Sequence, residues 1–478
     1  MRKTESLTGN VDWPLFFGVI LLMIVGLSTV YSVAYNPEHP SIFDFSQKYG
    51  KQVMWLGISL FLGLMVFLID SDIYRKFALP IYLFVIVLLV IVLFMPSVNG
   101  ARAWLGIGSM GIQPAEFAKI GTAILLARYL GTTNIKHQSK ATVFVSNGII
   151  LLPMVLILLQ PDAGTFVVFT SFLFVLYREG VSFDPIVLLF VNGGISIWNL
   201  NPIRMLRINA TVKKTWLGTH FIPILFVVIF LSVVTLLMSN TTIQLSMLPS
   251  WDISGYQGLL FFIFLFMLIA YIFMRLIFAK RDKKRALAIA LIGFVLAALL
   301  TKIVDSGFQK LASHQKERIE LVLGLREDPN GDDYNRNRAM AAVGSGGLFG
   351  KGYRKASVSS MRTNHVPESE TDFIFCPFAE EWGFVGTFSL VILYMFILLR
   401  IVIIAERQKA VFNRVYAYSV AMILFYHFAI NIGMSIEFAP VIGIPLPFFS
   451  YGGSSMMSFS IMMFILLKLD SQRKDVLN

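Results

Sequence analysis

Apolar runs of membrane-spanning length alternate with short polar connectors along most of the chain. They fall near 13–34, 52–70, 77–95, 115–131, 142–160 and 163–178, then near 218–239, 258–279, 285–304, 373–400, 410–432 and 452–468. A hydrocarbon core of about 30 Å takes about 20 helical residues. In lipid the backbone finds no water, so each run must satisfy its own hydrogen bonds, and runs of this length select helices over barrel strands. The pattern predicts an all-α polytopic helical bundle. A further apolar stretch, near 184–199, is broken by Asn192, Gly193, Gly194, Trp198 and Asn199. Both its flanks fall on one side of the membrane, so it is read as re-entrant or interfacial.

Of the 478 residues, 56% are hydrophobic and only 14% charged, which excludes an ordinary soluble domain. The net charge of +12 does not point to nucleic acid, because the basic residues cluster in alternate connectors. These are Arg2 and Lys3, Arg75 and Lys76, Arg128 to Lys140, Arg204 to Lys214, Lys280 to Arg285, Arg400 to Lys409, and Lys468 to Lys474. The positive-inside rule then places both termini in the cytoplasm and 96–114, 305–372 and 433–451 outside. The first run exceeds a signal-peptide core and lacks a small-residue cleavage site, so it is read as a retained span. A single cysteine, Cys376, excludes an internal disulfide framework.

Ionisable groups within or at the rim of such a bundle mark candidate chemistry. The long polar stretch from about 306 to 371 exceeds a plain connector and ends at Asp372, at the lip of the next apolar run. Asp372 has two readings: an N-cap for a helix beginning at Phe373, or a general base that takes a proton from a sugar hydroxyl. Glu368 and Glu370 are nearby carboxylates. Earlier, a glycine-rich outer loop leads into a helix starting near Pro114 or Ala115. Glu116 and Lys119 share one face of that helix, either as a structural ion pair or lining a cavity that holds a substrate-facing group. Arg102 offers a planar fork that suits a diphosphate, and Trp104 is either an interfacial anchor or a substrate contact. Asp162, in the tight turn 160–165, either caps the next helix or faces a polar outer cavity.

The run Gly344 to Tyr353 is not a nucleotide loop. A Walker pattern ending at Lys351 needs glycine at Ser345 and Ser or Thr at Gly352, and a dinucleotide pattern from Gly344 needs glycine at Phe349. Arg336, Arg338, Lys351, Arg354, Lys355 and Arg362 lie between Tyr334 and Pro367 with no acid among them. They suit a solvated basic face, or, with the backbone amides, a lipid diphosphate. Pro440, Pro445 and Pro447 predict a stiff outer loop that dips into the bundle. Ser450, Tyr451, Ser454 and Ser455 then open the last span with hydroxyls that suit a pocket. The six histidines form no metal-ligand spacing.

Together these stretches resemble the SEDS family (shape, elongation, division and sporulation), the polytopic peptidoglycan polymerases of the RodA and FtsW type. The resemblance rests on GARAWLGIGSMGIQPAEFAK, QPDAGT, HQKERI, GSGGLFGKGY, PESETDFIF followed by AEEWGFVGT, and PVIGIPLPFFSYGGSS, all in the family's order. QPAEF and AEE lean towards the RodA branch. Two departures stand out: Glu437 sits where the family has small residues, and about 100 residues are inserted between Gly180 and Lys283. The implied organisation is 1–180, N-terminal transmembrane helices; 181–283, an inserted membrane segment with about two extra spans; 284–304, a transmembrane helix; 305–372, an extracytoplasmic catalytic loop; and 373–478, C-terminal transmembrane helices. Ten family-type spans plus about two inserted ones result.

The resemblance implies a multi-pass glycosyltransferase of the bacterial cytoplasmic membrane that polymerises lipid II for cell elongation and shape. Asp372 would deprotonate the acceptor's 4-hydroxyl, which displaces undecaprenyl diphosphate with inversion to a β-1,4 bond. Arg102, with Lys119 or basic loop residues such as Lys351, would stabilise the leaving diphosphate. Glu116 would position Lys119, and Trp104 would pack on the sugar or prenyl chain. No particular cofactor is implied; a divalent cation could assist the diphosphate, without a clear ligand set. The implied partners are a class B penicillin-binding protein and the cell-elongation machinery. A lipid II flippase, an FtsW-type polymerase of cell division and a non-catalytic scaffold are the rival readings.

Overall fold

The structure, a computed structural model, describes residues 10–96, 102–106, 111–132, 140–181, 332–359, 368–436, 438–439 and 441–473, with isolated helical positions at 291 and 295. The re-entrant stretch 184–199, nearly all of the expected insertion 181–283 and of the span 285–304, the HQKERI motif and Glu437 lie outside the described residues.

The described chain is helical. In order, the helices are α1 (Trp13–Ala34), α2 (Lys48–Leu68), α3 (Ser71–Lys76), α4 (Ala78–Val92), α5 (Pro114–Leu130), α6 (Lys140–Leu159), α7 (Ala163–Phe169), α8 (Ser171–Arg178), α9 (Asp332–Ser345), α10 (Phe375–Arg407), α11 (Val411–Ser435) and α12 (Gly453–Ser471). Six of these are long and apolar enough to cross a membrane. The only β-pairing among the described residues is a single antiparallel bridge between Leu105 and Ile112.

α1 shows how sequence sets both ends and faces of a span. Asp12 accepts from the Leu15 amide at 3.1 Å and caps the helix, with a proline in the first turn. Leu15, Val19, Leu22, Met23 and Val30 are buried at helical spacing, while Trp13, Phe17, Leu21 and Ile24 are left outward for lipid. Asp12 also pairs with Arg400 at 2.5 Å and Arg407 at 2.9 Å, and Arg407 continues to Asp470 of α12. These charges tie α1, α10 and α12 together at one end of the bundle.

α5 is the central helix. Nearly all its residues are buried, against α4, α6, α11 and α12. Pro114 stands at its first position, where its missing N–H costs nothing. Ser454 and Ser458 of α12 bond the start of α5, through the Gln113 amide at 3.1 Å and the Glu116 carbonyl at 2.8 Å. Ser454, expected near a pocket, thus acts with Ser458 as a helix-to-helix tie.

The long polar segment before α10 differs from a plain loop, because α9 lies within it and packs on α10 and α11. The glycine run after α9 meets a break in α10, where Gly383 adopts φ +64°. Beyond the break, the Phe384 and Val385 amides donate to the carbonyls of Gly347 and Leu348 at 2.9 and 3.1 Å. Before it, the carbonyls of Glu380 and Glu381 accept from the Lys351 and Gly352 amides at 3.0 and 2.9 Å. Four of the groups stranded by interrupting the helix are thus satisfied by one stretch of backbone. A Cβ on Gly383 would stand 2.3 Å from the Gly350 nitrogen, so only glycine allows this approach. The expected amide cradle for a diphosphate is corrected: the Lys351 and Gly352 amides are committed to α10.

Candidate active site

Asp372 sits in a turn before α10, not at its N-cap. The cap position is Ile374 and makes no side-chain cap, while the Thr371 and Phe373 amides both donate to the Glu368 carbonyl at 3.1 and 3.2 Å. The cap reading of Asp372 is therefore corrected. Its backbone is held, yet among the described residues no donor bonds its carboxylate. Burial, followed by the charges of Glu368, Glu370 and Asp162, pushes the Asp372 carboxyl up to about 6.

The carboxylates around Asp372 are differently committed. Glu370 is buried and pairs with Lys48 of α2, and its carbonyl accepts from the Tyr451 amide at 2.9 Å. Glu368 accepts from the Thr371 hydroxyl at 3.1 Å and faces solvent. Asp162 makes the cap expected of it. One oxygen caps α7 through the Thr165 amide at 2.9 Å, and the other accepts from the Gln113 side chain at 2.8 Å, near enough for its charge to act on Asp372. Neutralising Glu368 removes a negative neighbour, so in Glu368→Gln the midpoint of any Asp372-dependent rate should move to lower pH; a pH–rate profile checks the direction.

The segment 441–452 folds into the bundle as its prolines predict. The carbonyls of Ile444, Pro445 and Pro447 are bonded by Asn431, His427 and Tyr394 at 2.6, 3.1 and 2.7 Å. The Ser450 hydroxyl accepts from the Leu446 amide at 2.8 Å and donates to the Thr371 carbonyl at 2.6 Å. Its expected place on a pocket wall gives way to a strut beneath the Asp372 turn. Tyr451 packs at the edge of the core. Gly443, at φ +66°, lies over the carboxylate: a Cβ there would stand 3.3 Å from Asp372 Oδ2 and near nothing else.

Glu116 and Lys119 pair as expected, but in a buried position. The Lys119 Nζ lies 2.9 Å from both Glu116 oxygens and 2.8 Å from His427 Nε2, with the Phe459 ring centroid at 4.9 Å. An ammonium has three donors, and all three are used. Lys119 is fully buried. The expectation that it touches a leaving diphosphate is corrected: it has neither exposure nor a donor to spare.

Lys351 is likewise committed, to Glu380 at 2.6 Å and the Ser357 hydroxyl at 2.8 Å. Glu380 is wholly buried and also accepts from the amides of Ser357, Val358 and Ser359 at 2.8, 3.0 and 2.9 Å. Arg354 stacks on Tyr35 at 3.5 Å and gives its amide to Glu381. Arg102 remains outward. One guanidinium N–H reaches the Leu93 carbonyl at 3.2 Å, and its amide bonds the carbonyl of Gln160, two residues before Asp162. Four of its five donors are therefore still available among the described residues. Trp104 is 41% exposed, against Gly111.

Sequence reasoning passed over Lys48, Glu380, Glu381, His427 and Asn431. Polar residues inside apolar runs were the available signal for the last four. Among the described residues no cluster of His, Cys, Asp or Glu is arranged to hold a metal ion.

A family model described as cell cycle protein, covering FtsW, RodA and SpoVE, matches residues 12–216 and 286–475. The unmatched stretch overlaps the expected insertion. The chain is 30% identical to the peptidoglycan glycosyltransferase RodA of Treponema pallidum (strain Nichols), over 97% of this chain and 98% of that protein. It is 27% identical to the peptidoglycan glycosyltransferase MrdB of Escherichia coli (strain K12), over 95% and 93%. Among solved structures, a chain from a peptidoglycan synthase complex that coordinates polymerization and crosslinking shares the fold, with TM-score 0.60 at 24% identity over 97% of this chain and 98% of that one.

Proposed function

Because the chain belongs to the cell cycle protein family of FtsW, RodA and SpoVE, we propose that it is a peptidoglycan glycosyltransferase that polymerises lipid II on the outer face of the cytoplasmic membrane, with Asp372 as general base. The relatives named RodA and MrdB favour a role in elongation and cell shape. One observation carries the catalytic assignment: a partly buried carboxylate in the turn before α10, under Gly443, with no donor among the described residues and raised to about 6 by burial and like charge. A base must hold its electron pair free and titrate near working pH, and Asp372 meets both conditions.

Asp372 takes the proton from the acceptor's 4-hydroxyl as that oxygen attacks the anomeric carbon of the donor. The bond to the diphosphate oxygen breaks on the opposite face, so an α-linked donor gives a β-1,4 bond. Undecaprenyl diphosphate leaves as an anion and needs no acid, which is why one carboxylate suffices. Arg102, the outward guanidinium beside the Asp162 turn, supplies charge to the diphosphate. The basic connectors in alternate loops support a topology with both termini in the cytoplasm and the Asp372 turn outside. The neighbouring fold in a polymerization and crosslinking complex supports a class B penicillin-binding protein as partner.

A transporter reading is separated from this one in detergent, where no second leaflet exists. The full chain with its penicillin-binding protein partner should convert purified lipid II to glycan polymer. Absence of polymer from folded, partner-bound protein would favour the flippase or scaffold.

A further inference from the structure

Two side chains of α11 join the Asp372 turn to the buried ion pair. Asn431 is fully buried and donates from one amide nitrogen to the carbonyls of Asp372 at 2.8 Å and Ile444 at 2.6 Å. Two carbonyl acceptors fix the orientation of the amide, since a flipped oxygen would face both of them. Its own Oδ1 is left without a partner among the described residues. An unsatisfied buried acceptor is costly, so the residue is held for the bonds its nitrogen makes.

His427 stands four residues earlier, on the same face of α11. Its Nδ1 lies 3.1 Å from the Pro445 carbonyl and its Nε2 2.8 Å from Lys119. A carbonyl only accepts, so Nδ1 carries the hydrogen and Nε2 receives the lysine's third donor. The connected path runs from Glu116 and Lys119 through His427 to Pro445, then through Ile444 and Asn431 to the backbone of Asp372. Gly443 closes the same strap over the Asp372 carboxylate.

We infer that Asn431 and His427 are positioning residues for Asp372, holding the catalytic turn and the 443–445 strap in one register and anchoring that register on the Glu116–Lys119 pair. The inference rests on the reading of Asp372 as the base. Neither side chain is placed to touch substrate: both are buried and their donors are spent on backbone carbonyls. The buried pair then acts as a fixed anchor for the site, which accounts for its full commitment. The charged groups bearing on Asp372 are Glu368 and Glu370 from its own turn and Asp162 from the start of α7, with Lys48 of α2 engaged on Glu370. Loosening the strap admits water to Asp372 and lowers its pKa.

The test is initial polymerisation rate against lipid II concentration and pH, for the full chain with its penicillin-binding protein partner in detergent. A misplacement of about 1 Å costs on the order of 100-fold in rate. Asn431→Ala and His427→Phe should therefore lose roughly 10- to 100-fold in kcat, with KM nearly unchanged and the acid limb moved to lower pH. His427→Gln, which keeps one donor and one acceptor, should recover most of the rate and the original limb. Should Asn431→Ala fail to fold, the His427 pair decides alone. An unmoved acid limb, or equal rates for the Phe and Gln variants, overturns the inference. Asp372→Asn run in parallel separates the failures: activity there removes the base reading itself, whereas an inactive Asp372→Asn beside an unaffected His427→Phe removes only the positioning roles.

Discussion

Asp372→Asn should make no glycan polymer and yet melt above the wild type near neutral pH. The loss follows from the missing electron pair, since an amide cannot take the acceptor's proton; general-base removal costs on the order of 100- to 10,000-fold. The gain in stability comes from the same environment. Burial and the charges of Glu368, Glu370 and Asp162 hold the folded carboxyl at about 6, above its ordinary range. Between those two values the folded state keeps a proton that the unfolded chain releases, so this group's contribution falls as pH rises through about 6. At neutral pH the ionised side chain costs about 2 kcal/mol, allowing for its partial exposure. Asn removes that cost. The difference in melting between variant and wild type should shrink on acidification and vanish below about pH 4, where both states bind the proton. Thermal melts of the purified pair across pH check this, and a variant that melts lower at every pH would contradict it.

Glu380→Ala should be among the most damaging substitutions outside the turn itself. One wholly buried carboxylate gathers Lys351, three consecutive amides and the hydroxyls of Ser357 and Ser359. Between those amides Val358 packs with Phe373, Cys376, Ala339 and Ala342, so the clamp reaches the residue next to Asp372. Removing it strands several buried donors, and breaking a buried charged cluster costs on the order of 3–5 kcal/mol. Melting should fall steeply, and polymerisation with it. Lys351→Ala should behave differently. Three amides and two hydroxyls still hold the buried Glu380 carboxylate once the lysine is gone, so the loss should be smaller, about 1–3 kcal/mol for the charge left behind. A stable Lys351→Ala protein that binds lipid II poorly would return Lys351 to the substrate, against its structural assignment here.

The spans were legible because lipid demands continuous apolar length, and α1 follows its apolar run from Trp13 to Ala34. The end of α10 was not. Arg400 reads as a terminus, but its charge is met by Asp12, and the helix continues to Arg407, which is met by Asp470. Partners 388 and 63 residues away leave no local mark. The prolines of the 440–447 segment announced a stiff excursion, because a missing N–H cannot be hidden in a helix. The glycine run was misleading for the opposite reason. Its composition signals exposed amides, and only the break at Gly383, about thirty residues on, reveals what receives them. Lys119 carried a true signal with the wrong consequence: an intramembrane lysine marks the site, but three partners leave it nothing to offer a substrate. Asn431 and His427 were readable as polar residues four apart in an apolar helix, though their acceptors are backbone carbonyls that no side-chain pattern encodes.

The most direct measurement is the pH dependence of glycan polymerisation from purified lipid II in detergent, by the full chain bound to the proposed penicillin-binding protein partner. The rate should climb with pH through a single ionisation near 6 and level off above it, and Asp372→Asn should give no polymer at any pH. A profile flat across that range, or polymer from the Asn variant, would contradict the assignment of Asp372 as the base.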